Sequence, residues 1–195
     1  MLDLEPAARQ MIRLLEGVTD DQLSAPTPCE ETTLGALVDH VGGLSTAFTA
    51  AARKNLGPET AAAPALDGSR LPADWRLSIP ARVAVLAEAW RDGAAWTGTT
   101  QVGGVDLPAD AAGAFALDEL VIHGWDIARA SGQPFDCDDA ALSACLELVA
   151  ATPDAARDSG GLFGPAVAVP DAAPALDRLI GLAGRDPRWA PRASR

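Results

Sequence analysis

Several residue types that form crosslinks or carry chemistry are scarce in this chain of 195 residues, which has no tyrosine, two histidines and three cysteines. Cys29, Cys137 and Cys145 are odd in number and form no CxxC pair, which favours a reducing compartment over a disulfide scaffold. No run of 18 apolar residues occurs, so we predict no membrane span. Residues 1–17 carry charges throughout, which is not typical of a signal peptide. We therefore expect a cytoplasmic protein.

Basic residues are also few, with 15 Lys and Arg against 27 Asp and Glu and a formal net charge of −12. Proteins that bind nucleic acid replace phosphate counterions with a basic face, and proteins that dock on anionic lipid need a similar positive surface. The composition therefore excludes both kinds of partner. It leaves the oligomeric state open between a monomer and a homodimer that associates through an apolar helix face.

Apolar residues make up 48% of the chain and recur at spacings of three and four, the pattern of amphipathic helices. Six helices are predicted, over residues 3–17, 33–54, 80–97, 109–131, 138–152 and 172–184. Residues 55–79 are predicted to be a long connection, and the glycine-rich residues 97–110 a short extended or hairpin segment. The fold class is therefore all-α, with a helical bundle core.

Local residues indicate where several of these helices begin and end. Thr33 is a candidate N-cap, Pro80 suits the first turn of the third helix, and Gly132 is a natural stop for the fourth. Gly42 and Gly43 are poor helix formers in the middle of the second helix. They indicate either the close approach of a neighbouring element or a kink.

Glu119 and His123 are separated by four residues in the fourth predicted helix, which puts both side chains on one face. His40 falls on the apolar face of the second helix, three residues after Leu37 and four before Leu44. If these helices pack together, His40 faces Glu119 and His123 across the bundle. Two imidazoles and a carboxylate are a known set of zinc ligands, and three protein ligands leave a position open for water or substrate.

Simpler interpretations of the same residues stay open. Glu119 and His123 could be an ordinary helix pair worth about 0.2–0.5 kcal/mol, and His40 a hydrogen-bonded core residue. Asp126 is a candidate acceptor that fixes the tautomer of a ligand imidazole, or else a solvent-exposed acid. Arg129 could pair with Asp126, contact an anionic substrate or form a surface salt bridge. Cys29 could be a nucleophile, but no histidine remains to activate it, so a packed or capping thiol is the better interpretation.

Two segments resemble a known family: TPCEETTLGALVDHVGG at 27–43 and LDELVIHGWDIARASGQP at 117–134. They are similar to the mycothiol-dependent maleylpyruvate isomerase N-terminal family of actinobacteria, within the DinB/YfiT-like group of metalloenzymes. The end of the chain, GPAVAVPDAAPALDRLIGLAGRDPRW at 164–189, resembles an uncharacterised actinobacterial subfamily of shorter proteins. The resemblance covers nearly the whole chain.

The resemblance implies a DinB-like four-helix bundle over residues 1–135, with a C-terminal helical extension over 136–195 packed on it as one globular unit. It implies a divalent metal, zinc first and nickel as the alternative, held by His40, Glu119 and His123. It also implies mycothiol as a thiol cofactor that the metal activates for transfer or isomerisation on a small electrophilic substrate. The reacting group would be a metal-bound water or thiolate, with Asp126 and Arg129 beside the ligands.

The chain departs from the family at two points. Thr32 and Thr33 stand where the family often has a tryptophan, and the residues after 135 differ from the C-terminal domain of the isomerase and are fewer. Neither departure touches the three candidate ligands, but both leave the substrate and the thiol open. The competing hypotheses are a bundle that binds a metal or a ligand without catalysis, and a purely structural or interaction domain without metal.

Overall fold

The computed structural model describes residues 1–29, 31–152 and 163–191, which form six α-helices and one two-stranded sheet. The helices are α1 (Glu5–Gly17), α2 (Leu34–Ala52), α3 (Trp75–Ala89), α4 (Ala109–Ser131), α5 (Asp139–Ala150) and α6 (Ala175–Leu182); the strands are β1 (Thr99–Val102) and β2 (Val105–Pro108). The prediction of an all-α protein with at most a short β-hairpin is confirmed. Within these residues, no helix is both long enough and apolar enough to cross a bilayer.

The first four helices form the bundle. α1 and α2 each pack against both α3 and α4, so the helices surround a common core. Its largest fully buried side chains come from all four helices and include Met11, Leu15, Leu34, Leu37, Ile79, Leu117 and Ile127. Because α2 and α4 are neighbours, side chains on their inner faces can meet.

Thr33 caps the start of α2, and the two glycines of this helix allow neighbouring segments to approach it closely. The Thr33 hydroxyl accepts a hydrogen bond from the Ala36 N–H at 3.3 Å, which makes it the N-cap. A Cβ on Gly42 would lie 3.1 Å from Ile79 of α3, and one on Gly43 would lie 2.6 Å from the Cβ of Pro64. Both glycines therefore mark close approaches by neighbouring segments.

The third helix differs from its prediction, because it spans Trp75–Ala89 and not residues 80–97. Pro80 lies inside it and removes one backbone donor. Tertiary contacts hold the turn before Pro80: Trp75 is buried, and Arg76 donates to Asp20 at 2.7 Å and to the Val18 carbonyl. The helix ends early, and a 3-10 turn over Gly93–Trp96 follows.

The predicted hairpin forms from β1 and β2, which pair in antiparallel register, with Gly103 and Gly104 at φ 60° and 80° in the turn between them. α4 follows at once and ends, as predicted, before Gly132 at φ 72°. α5 packs against α4, and α6 packs against α5. The Asp138 side chain caps α5 by accepting from two backbone N–H groups.

Candidate metal centre

His40 on α2 meets Glu119 and His123 on α4. One ligand atom from each residue lies within 4.8 Å of those of the other two. The four-residue spacing puts Glu119 and His123 one turn apart on the α4 face that packs on α2. His123 is buried, while His40 and Glu119 are half-buried, so the group lies just inside the bundle surface.

The backbone of the long connection orients His40. Its Nδ1 lies 3.1 Å from the carbonyl oxygen of Pro64. A carbonyl can only accept, so Nδ1 carries the proton and a neutral ring keeps the lone pair of Nε2 free to bind a metal. This contact depends on Gly43, which has no Cβ to push Pro64 away. The ring of His40 is nearly perpendicular to that of His123, at 85° with centroids 5.2 Å apart.

His123 lies between two carboxylates. Its Nε2 is 3.0 Å from Glu119 Oε2, and its Nδ1 is 3.1 Å from Asp126 Oδ2. Asp126 is fully buried on α4, one turn beyond His123. The structure therefore brings the predicted acceptor Asp126 to the ring nitrogen of His123 that faces away from Glu119.

A cation that the sequence did not reveal completes this group. Arg185, which follows α6, donates from Nη2 to Asp126 Oδ2 at 3.2 Å and has only 9% of its side chain exposed. Arg129 does not pair with Asp126: its Nε donates to the Trp189 carbonyl at 3.0 Å. No local pattern marks Arg185 as buried, and only the tertiary path of the segment after α6 brings it to Asp126.

Burial and the neighbouring charges shift the pKa values of the histidines and carboxyls at this site. Burial lowers the pKa of His40, and the neighbouring His123 lowers it further. Burial opposes the charged form of His123, but its hydrogen bonds to Asp126 and Glu119 outweigh that effect and raise its pKa to about 10. Burial would raise the pKa values of both carboxyls, but His123 holds that of Glu119 below its usual range, and Arg185 with His123 does the same for Asp126.

The donor set fits a divalent metal. Three ligands of a tetrahedral zinc with bonds of about 2.1 Å lie about 3.4 Å apart. The ligand atoms here lie within 4.8 Å of one another, so small side-chain rotations would close the set. Two imidazoles and one carboxylate are borderline to hard donors, suited to zinc and its neighbours among the transition metals.

The cysteines lie outside this donor set. The half-buried Cys29 occupies a tight turn in which its carbonyl accepts from the Thr32 N–H and the Thr27 hydroxyl, at 3.1 and 3.0 Å. Cys145 is buried on α5, and the negative charge of the buried Asp118 carboxyl disfavours its thiolate. Burial raises the pKa values of Cys137 and Cys145, so neither is prone to form a thiolate.

The profile of the mycothiol maleylpyruvate isomerase N-terminal domain matches residues 4–128. The chain belongs to this family. The match spans α1 to α4 and includes all three candidate ligands, and the resemblance seen in the sequence is confirmed.

Relatives extend the comparison beyond the family domain. The uncharacterized proteins Rv0738 and MT0763 of Mycobacterium tuberculosis, from strains H37Rv and CDC 1551, are each 28% identical over 176 residues, covering 90% of this chain and 91% of theirs. The crystal structure of the mycothiol-dependent maleylpyruvate isomerase has a TM-score of 0.59 at 19% identity, covering 83% of this chain and 71% of that one. A histidine-to-alanine mutant of that enzyme gives 0.56 at 18% identity over the same shares of each chain. The structural matches establish a shared fold.

Proposed function

We propose that this protein is a divalent-metal enzyme of the cytoplasm that adds a low-molecular-weight thiol, mycothiol, to a small electrophilic substrate for transfer or isomerisation. The convergence of two imidazoles and one carboxylate within 4.8 Å carries the proposal, in a chain that has only two histidines. Family membership supports the thiol, since the matching domain is named for mycothiol-dependent chemistry.

His40, Glu119 and His123 would hold the metal, with zinc as the first choice and nickel as the alternative. A bound divalent ion would supply charge that deprotonates a coordinating thiol at neutral pH. The three protein ligands would leave a coordination position for an exogenous group. The metal-binding bundle would occupy residues 1–135, with 136–195 packed on it; of the latter, 153–162 and 192–195 lie outside the described residues.

The protein's own residues prepare the ligands. The Pro64 carbonyl holds His40 with Nε2 free, and Asp126 holds the opposite nitrogen of His123. Neither imidazole then has to be oriented when the metal arrives, which lowers the entropic cost of binding. Glu119 has 20% of its side chain exposed against 9% for His123, so a small molecule would approach from the side of Glu119.

The first experiment measures bound metal in protein purified without an affinity tag or chelator. We expect about one equivalent of zinc or nickel in the wild type and its loss in His40→Ala and Glu119→Gln. Glu88→Gln is the matched control, because Glu88 is exposed and pairs only with Arg91 among the described residues. No bound metal in the wild type after reconstitution would overturn the ligand assignment.

The second experiment measures mycothiol consumption by the metal-loaded protein with small electrophiles, maleylpyruvate among them. We expect a rate that depends on metal and is lost in His40→Ala. Metal binding without any rate across a broad panel would refute the enzyme and leave the non-catalytic metal-binding bundle. Calorimetric titration with mycothiol then tests whether that bundle still binds the thiol.

A further inference from the structure

Asp126 shares one oxygen between two donors. Oδ2 lies 3.2 Å from Arg185 Nη2 and 3.1 Å from His123 Nδ1, and the carboxylate is fully buried. A guanidinium carries donors only, so the oxygen that faces it must accept. As a deprotonated carboxylate, Asp126 can only accept from His123 as well. The proton of this second hydrogen bond therefore lies on His123 Nδ1.

We infer that Arg185 is a positioning residue that acts through Asp126 to fix His123 with Nδ1–H toward Asp126 and Nε2 toward Glu119 and the candidate metal position. The inference rests on the proposed function for its purpose, since Nε2 is the nitrogen that a metal would use. It assigns a role at the site to a residue 57 positions beyond the end of the family match at residue 128.

The chain is built to hold Arg185 in this position. α6 ends in a Schellman motif, in which the N–H of Gly184 donates to Gly181 and that of Arg185 donates to Ile180, both at 3.0 Å. Gly184 has φ 85°, and a Cβ there would lie 2.9 Å from the backbone of Gly164, so both the turn and the close packing require glycine. Arg185 Nη1 also donates to the Ala183 carbonyl at 2.7 Å.

A second carboxylate also contacts the His123 ring, because Glu119 Oε2 lies 3.0 Å from Nε2. Without Arg185, the Asp126 carboxylate would be free to rotate away from Nδ1, and the His123 ring would be held from one side only. Arg185 therefore keeps the ring in the orientation that points Nε2 at the candidate metal position, where an incoming metal would displace the proton of that nitrogen.

The test uses the full chain without metal, because two histidines give only two imidazole spin systems. In the wild type we expect a downfield His123 Nδ1 proton that exchanges slowly with water in proton and ¹⁵N spectra. Arg185→Gln should broaden or remove it, and Arg185→Lys should restore part of it because the charge remains. Arg129→Gln is the matched control, since that guanidinium binds the Trp189 carbonyl and not Asp126. A cooperative thermal melt identifies the variants that fold.

The metal-loaded protein gives a second readout. Arg185→Gln should weaken zinc or cobalt binding by about 10–100-fold, the range typical of lost partners of ligand histidines. A wild-type Nδ1 proton in a folded Arg185→Gln, or in a folded Arg185→Met if the glutamine variant does not fold, would overturn the inference even if metal still binds. If the wild type binds no metal but its Nδ1 proton depends on Arg185, the proposed function fails and the inference stands.

Discussion

Asp118 offers a sharp test of how burial sets stability in this bundle. It lies on α4 one residue before Glu119, is 3% exposed, and its Oδ1 has no hydrogen-bond partner among the described residues. Burial and the negative charge of Glu119 raise its pKa from 3.8 to about 8, against the opposing charge of Arg185. We predict that Asp118→Asn becomes increasingly more stable than the wild type as the pH rises from 5 to 8.

The magnitude follows from linkage. Because the folded-state pKa lies above the unfolded value, the stabilisation that Asp118 provides is fully present below about pH 4 and is lost as the pH rises to about 8. Each pH unit within this window changes the free energy of unfolding by about 1.4 kcal/mol, or about 4 kcal/mol between pH 5 and pH 8 as a ceiling. Asparagine does not titrate. At 2–4 °C per kcal/mol, the ceiling on the growth of the variant's advantage in Tm is about 8–16 °C.

Thermal unfolding followed by circular dichroism at pH 5, 6, 7 and 8 measures this difference. A chelator in all samples keeps metal from changing the charge at Glu119. Asp110→Asn is the control, because it makes the same change at an exposed position in the first turn of the same helix. A Tm difference between Asp118→Asn and wild type that is the same at pH 5 and pH 8 would refute the reasoning.

Three further predictions follow from other residues. Metal affinity should strengthen about tenfold per pH unit between pH 6 and 9, since binding must displace the proton that His123, with its pKa of about 10, otherwise keeps; chelator competition giving a flat profile would contradict this. Gly43→Ala, whose Cβ would lie 2.6 Å from Pro64, should weaken metal binding about tenfold, whereas Gly93→Ala, which meets nothing within 4 Å, should not. Thr33→Ala should cost about 1 kcal/mol by removing the cap of α2, read as a Tm lower by about 2–4 °C.

The helices with local signals were predictable from the sequence. α4 begins and ends at the predicted residues 109 and 131 because apolar spacing and a left-handed Gly132 are both local features. The predicted start of α3 at Pro80 is wrong, because a proline in a first helical turn and a proline inside a helix carry the same local signal. The first turn of α3 is held by Trp75 in the core and by Arg76 on Asp20, and neither contact leaves a trace in the local pattern.

The candidate site also has a part that could be predicted from local sequence patterns and a part that depends on tertiary contacts. His40, Glu119 and His123 could be proposed to converge because helix periodicity fixes faces and only two histidines were available. The contacts of the Pro64 carbonyl with His40 and of Arg185 with Asp126 could not be proposed. Pro64 and Arg185 both lie in segments without helical periodicity, so the sequence does not indicate which residues they contact. The spacing of residues in the sequence does not show which backbone carbonyls, or which cations far away along the chain, will contact a site.

The ion pair between Asp126 and Arg185 also bears on where this protein can be divided. The family match ends at residue 128, and α4 ends only three residues later. A chain cut there would keep every candidate ligand yet remove the guanidinium that pairs with the Asp126 carboxylate, which is fully buried in the whole chain. Breaking a buried pair from one side costs about 3–5 kcal/mol, a large part of the 5–15 kcal/mol that stabilises a typical domain. The segment that the family profile matches is therefore shorter than the unit expected to fold, and a fragment for study should extend past residue 185.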